Sequence, residues 1–347
     1  MRFYNTSHKN YCGIDLHTKM MYICILSSDG EICLHENIPT QPHRFLKLIG
    51  PYRDDIVVGV ECIFSWYWLA DLCIEEGIPF ILGHALYMKA IHGGKTKNDK
   101  IDSEKIAKLI RGGNFPLAHV YPQEMRATRD LLRRRNYFVR RRSELQTHIK
   151  LTNYQYNLPS INKKLERKAN RDDVVGRFSD SSVQKNVAAD IHMMDSMEEQ
   201  IKSLEAYIIR HAKGYDPRTY YRLQTVPGIG TILALVILYE VQDIARFPSV
   251  QQFCSYARLV KCPKESAGKR YGFSGGRIGN AHLKWAFSEA VCLFMRESEQ
   301  AKRYVAKKAR KHGKGKAMSI LAHKLGRAVY TILRKKDSFD EKYFFSN

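Results

Sequence analysis

The 347-residue chain is short of negative charge: 35 Asp and Glu stand against 57 Lys and Arg, a formal net charge of +22. An imbalance of this size asks for a polyanionic partner, either nucleic acid or an anionic membrane surface. Long apolar runs are also missing. The longest, Ile232–Tyr239, falls far short of the roughly 20 residues a spanning helix needs. The N-terminal MRFYNTSHKN lacks the apolar centre of a signal peptide. The membrane reading is therefore weak, and nucleic acid leads. No Cys-x-x-Cys pair occurs among Cys12, Cys24, Cys33, Cys62, Cys73, Cys254, Cys262 and Cys292, which argues against a zinc site or a disulfide framework. Most of these cysteines lie in apolar runs, where free Cys behaves as a small buried hydrophobe, and a reducing cytoplasm is the expected home. Wholesale disorder is excluded, because 44% of the residues are hydrophobic and only 27% charged. No internal repeat is evident, and the length predicts two domains.

Residues 1–115 alternate strand-like and helix-like segments. Tyr11–Asp15, Met20–Leu26 and Glu31–His35 read as a three-strand meander with a Ser28-Asp29-Gly30 turn. A short helix around Phe45–Ile49, a buried strand Ile56–Val60, a helix Trp66–Glu75, a strand Pro79–Leu82 and a helix Ser103–Arg111 follow. This order predicts an α/β domain on a mixed sheet. Between Met125 and Lys150 come nine Arg/Lys and two acids, with Leu131, Phe138 and Leu145 at seven-residue spacing. A polar stretch, Lys163–Ser182, separates this basic helix from a second one carrying Val187, Ile191, Met194, Met197, Ile201, Leu204 and Ile208. The pair predicts an antiparallel arm or coiled-coil assembly surface. The remainder reads as mostly helical: VPGIG (226–230), an apolar helix Thr231–Val241, a Gly-rich basic loop 261–280, helix His282–Met295 and a basic stretch Ala301–Lys316. An amphipathic helix bearing Met318, Leu321, Leu325, Val329 and Ile332 closes it.

The few acids are placed suggestively. Asp15 ends one apolar strand and Glu61 another, and the crevice at the carboxyl ends of the strands is the usual seat of chemistry in open α/β sheets. Asp99 and Asp102, three residues apart at a helix start, share one face. Four converging carboxylates repel unless divalent cations neutralise them, and hard oxygen donors of this kind suit Mg2+. Two such ions about 3.5–4 Å apart can clamp the attacking and leaving oxygens of a phosphodiester. The competing reading is structural: an acid at a strand end is commonly a turn former, and Asp99 beside Asn98 could cap the helix. The combination, in this order, is the ribonuclease H-like nuclease arrangement.

Three basic features complete the inventory. In VPGIG, Gly228 and Gly230 would let the backbone approach a phosphate, as helix-hairpin-helix modules do, although Pro-Gly-x-Gly is also a common helix–helix turn. The loop CPKESAGKRYGFSGGRIGN (262–280) has five glycines, Ser266 and Ser274, and the cations Lys264, Lys269, Arg270 and Arg277. Cations and backbone amides stabilise charge on a pentacoordinate phosphorus, and a serine beside them is a candidate nucleophile; the plainer reading is a phosphate-binding loop. On the basic helix, Arg133, Arg134, Arg140 and Arg141 near Tyr137, Phe138, Tyr154 and Tyr156 suit RNA whose bases can stack.

With these residues in place, the chain resembles insertion-sequence transposases that join a RuvC-like DEDD domain to a C-terminal Tnp domain, the bridge-RNA-guided serine recombinases. The likeness runs from YCGIDLHTK through VGVEC, KTKNDKIDSEKIAKLI, the basic helices and VPGIG to FCSYARLVKCPKESAG and GGRIGNAHLKWAF. It implies a RuvC-like domain over 1–120, a basic helical coiled-coil arm over 121–214, and a Tnp domain with helix-hairpin-helix and serine loop over 215–347. It further implies Asp15, Glu61, Asp99 and Asp102 as metal ligands for Mg2+ and Ser266 as the nucleophile, with Ser274 as the fallback. The resemblance also implies a phosphoserine intermediate, donor and target DNA, a structured noncoding guide RNA, and a homo-oligomer (dimer or tetramer) with a composite active site. Location would be the cytoplasm of a bacterium or archaeon, at the nucleoid. The chain departs from the family pattern after Glu61, where Cys62-Ile63-Phe64-Ser65-Trp66-Tyr67 replaces the usual Ala-Thr-Gly and Tyr, and at Lys284-Trp285, where an Arg-Arg pair is common. Two other expectations compete: a RuvC-like nuclease or junction resolvase that uses water, and a non-enzymatic nucleic-acid binder.

Overall fold

A computed structural model describes residues 2–91, 98–212, 214–274 and 278–346. The chain divides into two compact units, Met1–Gln123 and Glu124–Asn347.

The first unit contains strands β1 (Phe3–Tyr4), β2 (Asn10–Leu16), β3 (Met20–Ser27), β4 (Ile32–Pro39), β5 (Ile56–Glu61), β6 (Phe80–Gly83) and β7 (Phe115–Pro116). Its helices are α1 (Pro42–Ile49), α2 (Tyr67–Glu75), α3 (Ala85–Ile91) and α4 (Asp99–Arg111). Five strands form one sheet in the order β4-β3-β2-β5-β6. The meander β2-β3-β4 is antiparallel, whereas β2-β5 and β5-β6 are parallel. This is the expected mixed sheet, and its order is consistent with a ribonuclease H-like domain. One face buries Cys12, Ile14, Ile23, Val58 and Val60 against Phe45, Leu69 and Cys73 of α1 and α2. The other packs Tyr11, Val57 and Ile81 against Ile106, Leu109 and Ile110 of α4. The short pair β1–β7, two residues a side, gave no periodic signal in the sequence.

The second unit begins with two long helices, α5 (Gln123–Gln155) and α6 (Ser181–Ala212). They run antiparallel, since Arg135 meets Glu205 and His148 meets Asp190. The expected apolar seam holds only in part, with Leu131 and Leu145 packed at the edges of two cores. Leu131, Phe138 and Leu145 are only half-buried, while the inward face of α5 holds Leu132 and Ile149 among the polar Arg126, Arg129, Asn136, Gln146 and Asn153. Some of these groups have specific partners: Arg129 donates to Glu240 at 3.0 Å and Asn153 to the carbonyls of Leu158 and Pro159 at 3.0 and 3.1 Å, whereas Asn136 Nδ2 and Gln146 Nε2 are buried without a partner among the described residues. The polar connection is also more than a spacer. Leu165, Val174 and Phe178 pack with Ile149, Val187 and Met194 in a small core of their own. Buried Arg171 ties that cap to Asp195 and Glu198 of α6.

Helices α7 (Pro217–Gln224), α8 (Thr231–Val241), α9 (Val250–Tyr256), α10 (Ala281–Glu297), α11 (Glu299–His312), α12 (Lys314–Lys335) and α13 (Glu341–Ser346) build the rest around α8, every residue of which from Leu233 to Val241 is buried. Leu321, Leu325, Val329 and Ile332 of α12 enter the same core, as their spacing predicted. The Gly-rich loop contains a hairpin, β8 (Cys262–Ser266) and β9 (Lys269–Ser274), closed by Ala267 and Gly268 at φ +48° and +75°. Two positive φ values fit the tight turns whose twist matches a strand pair; the surrounding glycines and lysines masked that signal. Among the described cysteines, Cys12, Cys24, Cys73 and Cys254 are buried as expected, but Cys33, Cys62 and Cys292 are exposed. No helix among the described residues is long and apolar enough to cross a membrane.

Candidate active site

Alternation along β2 decides which side chain sees which face of the sheet. Cys12, Ile14 and Leu16 enter the core with α1 and α2, so Tyr11, Gly13 and Asp15 look to the side covered by α4. Strand β5 repeats the pattern, which puts Glu61 on the same side as Val57. The parallel register matches Gly13 with Gly59 and Ile14 with Val60. Asp15 and Glu61 are the next residue on each strand, just past the last matched pair.

Helix α4 brings the other two acids. It lies almost directly on the strand backbone: a Cβ at Gly13 would sit 2.3 Å from the Ala107 nitrogen and 2.4 Å from the Ser103 oxygen. Only glycine permits that approach. Asn98 caps the helix, its side-chain oxygen accepting from the Ile101 amide at 2.8 Å, so the capping role belongs to Asn98 and leaves Asp99 available. Asp102 lies one turn on, where Lys105 Nζ reaches it at 3.3 Å.

The geometry then converges on Asp15 and Asp99. His17 Nε2 is 3.5 Å from Asp15 Oδ2 and 3.5 Å from Asp99 Oδ1, and the donor atoms of the three residues all lie within 4.8 Å of one another. Burial raises the Asp15 carboxyl above its ordinary value; His17 works against that rise, and the charges of Asp99 and Asp102 add to it. Such mutual repulsion is what a divalent cation relieves. The unusual segment after Glu61 is well tied. Ile63 donates to the Glu61 carbonyl and Cys62 to the Gly83 carbonyl, both at 2.9 Å. The Ser65 hydroxyl donates to the carbonyl of Leu16 at 3.4 Å, the residue after Asp15.

Sequence reasoning passed over two residues here. His17 follows Asp15 by two positions, the spacing that puts side chains on one side of an extended chain, and that spacing was the available signal. Gly13 precedes Asp15 by two and seats α4; nothing in a single sequence marks a glycine as a helix seat.

In the second unit, Ser266 lies at the tip of the β8–β9 hairpin, paired with Lys269. Lys264, Lys269 and Arg270 are exposed beside it, with Arg270 Nε 2.6 Å from Glu265. Among the described residues the Ser266 hydroxyl has no hydrogen-bonding partner. Only the backbone of Ser274 is described, and Arg277 lies outside the described residues. Gly228, at φ +82°, is pressed against α10: a Cβ there would be 2.4 Å from the Ala290 oxygen. Its amide donates to Glu297 Oε2 at 3.2 Å, so a carboxylate of the same unit occupies it. Gly230 starts α8 with open space around its missing Cβ. The arginines of α5 divide. Arg133, with Arg129 and Asn280, grips the buried Glu240 at 2.7–3.0 Å. Arg134, Arg140 and Arg141 are exposed, with Arg134 and Arg141 flanking the Tyr137 ring and Arg141 also bonded to Glu144.

Comparison with known proteins covers both units. Residues 12–154 match a family model described as a transposase, of the IS110 DEDD type, and residues 220–306 match the transposase IS116/IS110/IS902 family. The transposase for insertion sequence element IS1111A of Coxiella burnetii is 20% identical over 339 residues, covering 94% of this chain and 90% of that protein. The transposase for IS1328 of Yersinia enterocolitica is 23% identical over 337 residues, covering 95% and 98%. An IS110 protein of Streptomyces coelicolor is 28% identical over 152 residues, covering 43% and 36%. Sheet, carboxylates and matches together define a transposase with a RuvC-like DEDD domain. More narrowly, both matches are to transposases of the IS110/IS116 insertion-sequence type, which this chain resembles along most of its length.

Proposed function

We propose that this transposase cleaves and exchanges DNA strands through a phosphoserine intermediate, with Mg2+ held by its DEDD carboxylates. The observation that supports the reading is the gathering of Asp15, Asp99 and His17, with the Asp15 carboxyl raised by burial and by the charges of Asp99 and Asp102, and Glu61 ending the neighbouring strand. An all-carboxylate oxygen set is the donor chemistry Mg2+ prefers, and the bound ion would supply charge neutralisation at the scissile phosphate. In the serine step, Ser266 Oγ forms a bond to phosphorus as the P–O bond to one DNA strand breaks; the hydroxyl loses its proton, and the departing oxygen takes one up. Lys264 and Lys269 lie on the same hairpin to neutralise the developing negative charge. Reversal of that step on another strand's hydroxyl completes exchange.

The exposed cations Arg134, Arg140 and Arg141, with Tyr137, Tyr154 and Tyr156, support a structured guide RNA on the arm, where stacking and phosphate contacts combine. Such an RNA would pair with donor and target DNA, and the protein would act as a dimer or tetramer. One observation favours a second reading. The Ser266 hydroxyl has no base beside it among the described residues, which suits a RuvC-like nuclease that activates water instead. A denaturing gel separates the two. Wild type should trap a protein–DNA adduct that Ser266→Ala cannot form, whereas Asp15→Asn abolishes cleavage under both. Wild-type cleavage rates in Ser266→Ala would sink the serine mechanism and leave the water reading; undiminished activity in Asp15→Asn would favour a non-enzymatic binder. Sequencing RNA that co-purifies with the protein tests the guide.

A further inference from the structure

We infer that His17 is a ligand of the divalent ion at Asp15 and Asp99, giving the site a mixed imidazole–carboxylate donor set that favours Mn2+ over Mg2+. The inference rests on the DEDD metal reading above and deepens it. His17 sits in the β2–β3 turn with its backbone fixed on both sides: its amide donates to the Met20 carbonyl at 3.0 Å, and its carbonyl accepts from the Thr40 hydroxyl at 2.9 Å. The ring is thereby aimed, yet its side chain is 54% exposed and buries little apolar surface. A charge-assisted hydrogen bond closes to about 2.7–2.9 Å, whereas Nε2 stands 3.5 Å from a carboxylate oxygen on each of two residues. Neighbouring ligands of an octahedral ion with bonds of about 2.1 Å lie about 3 Å apart. The three donors, all within 4.8 Å of one another, form a loose ion-pair cluster that one octahedral ion could replace with small side-chain movements. Carboxylates alone suit Mg2+, while imidazole nitrogen binds transition metals more strongly along the series that begins with Mn2+.

The test is Mn2+ titration of the full-length protein followed by electron paramagnetic resonance, which counts bound ions and detects nitrogen coordinated to them. The expected wild-type spectrum shows directly bound imidazole nitrogen, lost in His17→Gln, and the ratio of Mn2+ to Mg2+ affinity falls about tenfold in that variant. His17 is half exposed in a turn, so the variant should fold, and circular dichroism checks that it does. A bound ion with oxygen ligands only, or nitrogen coupling that persists in His17→Gln, overturns the role of His17 and leaves the carboxylate site standing. No bound Mn2+ in wild type overturns both that role and the DEDD metal reading.

Discussion

Replacing Glu240 by Gln should cost the second unit about 3 kcal/mol at neutral pH. Glu240 is 2% exposed on the apolar helix α8 and receives Arg129, Arg133 and the Asn280 amide. Burial by itself would push its carboxyl up; the Arg133 hydrogen bonds, the Arg129 and Arg133 charges and Asn280 outweigh it and bring the group from 4.5 down to about 2. A carboxyl with a lowered folded-state value stabilises the fold fully above its unfolded value, and that contribution disappears as pH falls from about 4.5 to 2. The shift is worth about 3 kcal/mol, within the range for breaking a buried ion pair by removing one partner. Urea unfolding from pH 7 to 3 measures it. The wild-type advantage over Glu240→Gln should hold down to about pH 4.5 and then shrink, with a Tm difference at pH 7 of about 10 °C. A double-mutant cycle with Arg133→Met should show strong coupling. Equal stability at pH 7, or a gap that does not narrow in acid, would refute the assignment of Glu240 as a charged anchor.

Three other outcomes follow from the geometry. Gly13→Ala, whose new Cβ would drive α4 off the sheet, should destabilise the first unit by about 1–3 kcal/mol. Displacing Asp99 and Asp102 by about 1 Å should also cut strand cleavage about 100-fold, measured on oligonucleotide substrates. Gly228→Ala should cost at least about 2 kcal/mol by packing and positive φ, while Gly230→Ala should change stability by less than about 1 kcal/mol and, if its amide holds phosphate, weaken DNA binding in a fluorescence-anisotropy assay. Asp102→Asn should abolish cleavage while leaving the unfolding free energy, measured in urea, within about 0.5 kcal/mol of wild type.

The first unit was largely legible because its signals are local. β-branched runs such as Ile56–Val60 and the turn at Ser28-Asp29-Gly30 announced the strands, and Asp15 at a strand end marked one member of the cluster it forms with His17 and Asp99. What the sequence concealed depends on distance. Asp99 reaches Asp15 only because Gly13 lets α4 approach, and His17 counts only once Asp99 has arrived. Arg133 looked like one cation among nine until Glu240, more than a hundred residues on, claimed it. The seven-residue seam on α5 marked only part of its buried face, because polar residues such as Arg129 and Asn153 are buried beside it through distant partners that apolar spacing alone could not reveal.

The arm of α5 and α6 has a mechanical consequence. Its helices are about 50 Å long, and their two ends are held by different cores. Near the base, Met125, Leu132 and Ile208 belong to the large core of the second unit; at the tip, six buried side chains stand on their own around Ile149 and Phe178. So small a cluster opens at a lower free energy than the body to which the arm is rooted. Amide hydrogens around Val174 and Val187 should therefore exchange faster than those of α8, and the arm would loosen from its tip inward while its root stays folded.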